Sequence, residues 1–367
     1  MMEDVKLRLA WLCLLALPPV VYACSSDGDP APAELDAGAE SSTPPVTPTE
    51  GGGPSRPDAE PGDAGSDATG ADAGDAGATC VGNPLGDAGP DGGGLVLRTL
   101  ATGEFLDGPR WVDGVGLVYA EVFQKRLRRL LPDGGAVTLR DVGGALPIGT
   151  AYDRKAGVLV TAQSTPAALL RTRTDGGTLA SLPTGAADSP NDVVATAAGQ
   201  LFFTDPAYQN ANPALTGVYR SPADGGVVAV QTFGNVERAN GIALSPDERS
   251  LYVSFTNTRR VARYPLSAAG VPGAGVTILT GVELAQAPDG IAVDVAGNLY
   301  LAEADPDTGT NRGVVEVFRP TGVKWGAIPI AGARPTGVAF GGPRHETLFI
   351  TTETSLLSVD LACAGLP

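Results

Sequence analysis

The chain is poor in the residues that build several common kinds of site. Among 367 residues there is one histidine, His345. Histidine-based metal sites and Ser-His-Asp triads are therefore set aside. His345 also falls between Gly341-Gly342-Pro343 and Leu348-Phe349-Ile350, where a hairpin turn suits it better than a catalytic post. Positive charge is scarce: 25 Lys and Arg stand against 41 Asp and Glu, a net charge of -16. Nucleic acid needs a basic surface and is excluded as a partner. Most of the negative charge lies in the N-terminal tail, so it says little about the folded part. Helical periodicity is missing too, since no long stretch repeats apolar residues at i, i+3, i+4 and i+7. What is plentiful is glycine, 50 residues, and proline, 31, spaced as in an all-β chain with many turns.

The first residues read as a sorting signal. Lys6 and Arg8 give a weak basic start, and Leu9 to Tyr22 is apolar. That run is short for a membrane span and suits a signal-peptide core. It ends in Val21-Tyr22-Ala23-Cys24, which is similar to a bacterial lipobox, where the cysteine is lipidated and becomes the new N-terminus. An ordinary signal peptide or an uncleaved anchor is the other reading. The expectation is a cell-envelope lipoprotein anchored at Cys24, with residues 1–23 as the signal. Residues 24–79 are Asp-Ala-Gly repeats and Pro-Thr runs with hardly a large apolar side chain. Such a segment cannot offset its chain entropy and is expected to be a disordered, extended spacer. Residues 80–367 are then the folded domain. Cys13 and Cys24 belong to the signal and lipobox, which leaves Cys80 and Cys363. In an oxidising compartment these two are expected to form a disulfide across the ends of the domain, two free thiols being the alternative.

One phrase recurs through the domain. Its clear copies are Asn191-Asp192-Val193-Val194, Asn240-Gly241-Ile242-Ala243 and Asp289-Gly290-Ile291-Ala292, with Ile148-Gly149-Thr150-Ala151 and Thr336-Gly337-Val338-Ala339 fainter. An earlier copy is Asp107-Gly108-Pro109-Arg110-Trp111. After each comes a turn and a second apolar run, such as Leu201-Phe202-Phe203 or Leu251-Tyr252-Val253. The six anchors Asp107, Ile148, Asn191, Asn240, Asp289 and Thr336 are 41, 43, 49, 49 and 47 residues apart. That is the period of four-stranded propeller blades. The fold expected is all-β, a six-bladed β-propeller of four-stranded blades behind a disordered tail. Blade four illustrates it, with strands at Gly241 to Leu244, Leu251 to Phe255, Arg260 to Leu266 and Val276 to Leu279. Turns Asp133-Gly134-Gly135, Asp175-Gly176-Gly177 and Asp224-Gly225-Gly226 recur in phase. The last blade is one strand short, and Leu95 to Leu100 is expected to close the ring.

Inner strands of a propeller start around one end of a central channel. Asp107, Asn191, Asn240 and Asp289 hold such starts in four blades. Two carboxylates and two amide oxygens make a hard, all-oxygen site, suited to Ca²⁺ and, after it, Mg²⁺ or Mn²⁺. Zn²⁺ is less expected. Trp111 and Trp325 read as blade-packing aromatics, and Glu303 and Asp305 as loop charges. Asp205 and Tyr208 fit either the pocket mouth or a turn.

These phrases resemble the family of senescence marker protein, gluconolactonase and luciferin-regenerating enzyme. The matching stretches are Ser189 to Val194 with Leu201 to Tyr208, Ala239 to Asp247, and Pro288 to Asp294. The likeness runs from about Leu95 to Asp360. It implies a six-bladed propeller with one catalytic divalent metal in its channel. Asn240 and Asp289 would be metal ligands, Asn191 a ligand or a holder of substrate and water, and Asp289 also the general base. The family's Glu-x-Pro-x-Trp ligand phrase is here Asp107-Gly108-Pro109-Arg110-Trp111, with a carboxylate one methylene shorter. Ser189 stands where many members have Arg, and Ile148 where some have Asn. The implied reaction is metal-assisted opening of a small-molecule sugar lactone or related ester by a monomer. The alternative is a non-catalytic, surface-tethered propeller that binds a ligand or protein partner.

Overall fold

The structure is a computed structural model. It describes residue 80 and residues 82–210, 213, 215–223, 225–234, 236–304 and 312–367, without the side chain of Arg312. The signal, the lipobox Cys24, the spacer and the expected turn and loop residues Asp224 and Asp305 lie outside the described residues.

Short apolar runs separated by Asp-Gly turns fold into antiparallel sheets. The turns work as their chemistry dictates. Asp133 Oδ1 accepts from Gly135 N at 3.0 Å and Asp175 Oδ1 from Gly177 N at 2.8 Å. Gly134 and Gly176 between them take φ of 86° and 93°, which costs glycine nothing.

Strand β1 (Arg98–Thr102) precedes the first blade. Blade one is β2 (Leu106–Val112), β3 (Gly116–Glu121), β4 (Arg126–Leu130) and β5 (Ala136–Asp141). Blade two is β6 (Leu146–Asp153), β7 (Val158–Ser164) and β8 (Ala168–Arg173). Blade three is β9 (Val193–Ala195), β10 (Leu201–Asp205), β11 (Thr216–Ser221) and β12 (Val228–Phe233). Blade four is β13 (Ala239–Leu244), β14 (Ser250–Phe255), β15 (Arg260–Pro265) and β16 (Val276–Leu279). Blade five is β17 (Ala287–Val293), β18 (Leu299–Ala304), β19 (Arg312–Phe318) and β20 (Lys324–Ala331). Blade six is β21 (Pro335–Gly341), β22 (Thr347–Thr352) and β23 (Ser355–Asp360), with β1 as its outer strand. The six-bladed propeller expected from the repeat is the observed fold.

Two details differ from the sequence reading. In blade two the fourth strand is reduced to isolated bridges, Leu169↔Leu182 and Thr172↔Thr178. Pro183, without an amide hydrogen, ends that pairing. The closing strand runs from Arg98 rather than Leu95, in register Arg98↔Ser358. Leu95 and Leu97 instead pack sideways on the apolar layer between blades five and six.

The core is a set of layers between neighbouring blades. Tyr300 of blade five meets Phe340 of blade six edge-on at 4.8 Å, among Val315, Ile328, Leu348 and Ile350. Trp111 stacks on Phe349 at 5.8 Å, and Trp325 lies under the Arg319 guanidinium. Both tryptophans therefore pack blades. His345 sits in the β21–β22 turn with φ of 56° and shares a hydrogen bond with Asp113.

Cys80 and Cys363 form the expected disulfide, with Cα atoms 5.0 Å apart and 283 residues of separation. It pins the C-terminal segment, whose Ala364 O and Leu366 N bond to Val295 N and Val293 O at the end of β17. A loop this long implies stabilisation of up to about 5 kcal/mol. The double variant Cys80→Ser/Cys363→Ser is expected to melt well below the oxidised parent in calorimetry.

Glu303 is not the loop charge expected from sequence. It lies within β18 opposite Pro288 and is fully buried. Its Oε2 accepts from Gln286 N at 2.8 Å, which fixes the entry to β17, while Oε1 has no partner. Burial, and then the charge of the adjacent Glu316, push its carboxyl up to about 9. Below pH 4.5 both folded and unfolded chains hold this proton. As pH rises toward 9 only the folded chain keeps it, so stability is lost across that window. Glu303→Gln keeps the acceptor for Gln286 and removes the titration. It is expected to raise the melting temperature at pH 8 by a few degrees and to leave it unchanged at pH 4.

Candidate functional site

The six inner strands begin around the propeller axis. Each phrase places one residue toward the channel and the next against the neighbouring blade. That next residue is glycine in five blades because the backbones nearly touch. A Cβ on Gly241 would lie 2.3 Å from Asp289 O, and one on Gly108 2.2 Å from Ile148 O. Paired strands slip by a bulge at the same place, between Asp107 and Arg110 and between Pro288 and Ile291. The bulge turns the ligand-type side chains inward.

Asp107, Asn191, Asn240 and Asp289 line one cavity of about 20 Å³, together with Asp192 and Thr336. That is room for one water or one ion. A water-sized sphere reaches the carboxylates from within, yet protein surrounds them. Asn240 is oriented from outside the cavity. Its Nδ2 donates to Thr256 Oγ1 at 3.0 Å and to Tyr208 OH at 3.2 Å. The amide also hydrogen-bonds the Asp289 carboxyl, which opposes the rise in that acid's proton affinity. Thr256 also donates to Pro288 O at 3.0 Å, and Ser254 to Asp289 O at 2.6 Å. Thr204 donates to Asn240 O at 2.5 Å. Hydroxyls on the second strand of one blade thus hold the backbone of the channel residue in the next.

Asp205 is a clamp of the same kind. Buried at the end of β10, it accepts from the amides of Asp188, Ser189 and Ala207 and shapes the approach to Asn191. Ser189 is buried with its hydroxyl bonded to Gln209, and Ile148 is buried as well.

The electrostatics are severe. Burial pushes Asp107 up to about 7, with the Asp192 charge adding to the rise and the Gly108 amide opposing it. Burial, and then the charges of Asp107 and Asp192, hold Asp289 well above the usual carboxylate range. Asp192 is pushed by burial to about 6. Arg110, whose Nε donates to Thr150 O at 3.0 Å, is the counter-charge facing Asp192. Fully ionised, three carboxylates and one guanidinium would carry two net negative charges in a space the size of one ion. Buried charges need partners, so the donor set fits a divalent cation.

Asp192 is the residue that sequence reasoning missed. The signal was present, since it alone fills a place where the other five copies have glycine. The hydroxyl tethers Thr204, Ser254 and Thr256 were missed because second strands were read only for their apolar runs.

Three comparisons bear on this arrangement. Residues 105–354 match the profile of the SMP-30/Gluconolactonase/LRE-like region. The chain belongs to that family. A gluconolactonase of Zymomonas mobilis is 27% identical over 289 residues, 70% of this chain and 78% of its own. The solved structure of a gluconolactonase from Xanthomonas campestris superposes with a TM-score of 0.62 at 26% identity, covering 76% of this chain and 91% of that one. A calcium-binding regucalcin from Agrobacterium tumefaciens shares the fold, with a TM-score of 0.60 at 19% identity over 74% and 96% of the two chains.

The shifts have a consequence for the metal-free domain. Below pH 3.8 Asp107 is protonated in folded and unfolded chains alike. Between that value and about 7 only the folded chain keeps the proton, so stability falls as pH rises, and the loss is complete above 7. Thermal scans after chelation are expected to show a melting temperature that declines from pH 4 to pH 7. Asp107→Asn is expected to flatten that decline.

Proposed function

We propose that the protein is a lactonase that depends on a divalent cation, with Ca²⁺ the first expectation. Asp107, Asn191, Asn240 and Asp289 would hold the ion through oxygen. The observation that carries the reading is the place of Asp289. It lines the ion-sized cavity and also a second cavity of about 40 Å³ at the channel mouth. That outer cavity is bounded by Phe105, Ala304, Pro335 and the ion-paired Arg334 and Glu353. One carboxylate therefore faces both the ion position and the entering molecule. Membership in a family with gluconolactonases supports a small lactone, or a related ester, as substrate.

The cation would polarise the ester carbonyl and offset the charge that develops on its oxygen. Asp289 would accept a proton of the attacking water and pass it to the ring oxygen as the ester C–O bond breaks, so that this oxygen leaves as the hydroxyl of the opened acid. Asn240 is held in place by Thr256 and Tyr208. Arg110 lines both the ion-sized cavity and the larger cavity on its far side.

We further propose that the domain is exported and tethered through Cys24, with residues 25–79 as spacer. Incorporation of a fatty-acid label at Cys24 is the direct check.

Stripping the metal should abolish lactone hydrolysis, and Ca²⁺, Mn²⁺, Mg²⁺ or Zn²⁺ returned singly should restore it. Asp289→Asn should lower kcat at least about a thousandfold, as loss of a base and a ligand together implies. Turnover that survives chelation, or an Asp289→Asn enzyme near parental activity, would overturn the assignment. No cation binding and no turnover on a broad lactone and ester panel would point to a ligand-binding propeller.

A further inference from the structure

The odd residue of the glycine ring has its own geometry. Gly108, Gly149, Gly241, Gly290 and Gly337 are its equivalents in the other blades. Asp192 Oδ1 accepts from Val193 N at 2.8 Å and Oδ2 from Ile242 N at 3.1 Å. A single carboxylate thus joins blade three to blade four across the inner strands. Asn191 immediately precedes it, and Asn240 lies two residues before Ile242. Both oxygens are committed to amides, so Asp192 is not placed as an ion ligand.

Strand β9 has three residues and starts after Asn191. One other tie works beside the carboxylate: Thr204 O accepts from Asn191 N at 2.9 Å, and its hydroxyl donates to Asn240 O at 2.5 Å. The neighbouring blade yields space: a Cβ on Gly149 would lie 2.1 Å from Asp192 Oδ1. Blade one supplies the Arg110 guanidinium, steadied by Thr150 O, as the facing charge. Arg110 also lines a larger cavity of about 140 Å³ below, which Leu366 and Pro367 border. Arg110, Ile291 and Val338 line both cavities and so lie between the ion cavity and the lower channel.

We infer that Asp192 is a positioning residue of the ion site: its link from the start of β9 to β13 helps set the spacing of Asn191 and Asn240. This rests on the proposed ion site. A carboxylate that fixes ligand backbones and lies one shell behind the ion typically controls affinity by about 10- to 100-fold.

The test uses metal-stripped full-length protein, calorimetric titration with Ca²⁺, Mn²⁺, Mg²⁺ or Zn²⁺, and thermal scans. Asp192→Gly restores the residue found in the other five blades, so the close approach of strands is tolerated. Asp192→Asn keeps the size and one acceptor. For the cation that the parent binds, Asp192→Gly is expected to raise Kd at least about tenfold while the metal-free domain still melts cooperatively. Asp192→Asn is expected to fall between. Saturating cation should then recover much of kcat, which removal of a ligand would not allow. A role in folding alone would lower the melting temperature and leave Kd within twofold of the parent, and that result in either variant overturns the inference. If Asp192→Gly does not fold, Asp192→Asn decides by the same Kd criterion. A parent that binds none of the four cations would instead sink the ion-site reading itself.

Discussion

Everything at the centre of this propeller depends on how closely six inner strands approach the axis. Their backbones come within contact distance at the residue after each channel-facing side chain. Glycine meets that demand in five blades, and a Cβ there would strike atoms of the next blade. The approach does two things at once. It seals the ring, because each blade's start packs on the next. It also draws the preceding side chains, among them Asp107, Asn191, Asn240 and Asp289, around a space of about 20 Å³. Packing and chemistry are therefore one constraint.

Concentrating carboxylates in so small a space is unfavourable, and the surrounding structure bears the cost. Layers such as Tyr300 against Phe340 hold the blades together. Hydroxyl tethers from Thr204, Ser254 and Thr256 fix the backbone at Asn240 and Asp289. Buried acids outside the channel, Asp205 and Glu303, clamp the entries to Asn191 and Asp289 by accepting backbone amides. The position on the second strand opposite the residue before the channel side chain is filled by Glu121, Gln163 and Glu303 in blades one, two and five.

Much of this was legible in the chain. The spacing of Asp107, Ile148, Asn191, Asn240, Asp289 and Thr336 reports the blade repeat, because one blade is one physical unit of four strands. The strands of blade four fall within a residue or two of their expected places. Cys80 and Cys363 could be paired by elimination and compartment. Glu303 was misread because a charged residue after an apolar run looks like a loop, and only the fold shows a backbone amide waiting for it. Asp192 was overlooked because it was read as part of an Asn-Asp phrase rather than as a break in a glycine column.

By itself the sequence determined the number of blades, the closing of the ring by an early strand, and which side chains face the axis. Those follow from local rules: the period of the repeat, the alternation of strands, and the turn chemistry of Asp-Gly. Only the tertiary structure decided what those side chains meet. That Asp192 bonds Ile242 N, that Arg110 stands as its counter-charge, and that Asp289 lines two cavities are relations between residues on different blades. Such relations depend on distances across the axis, and those are set by the packing of all six blades together.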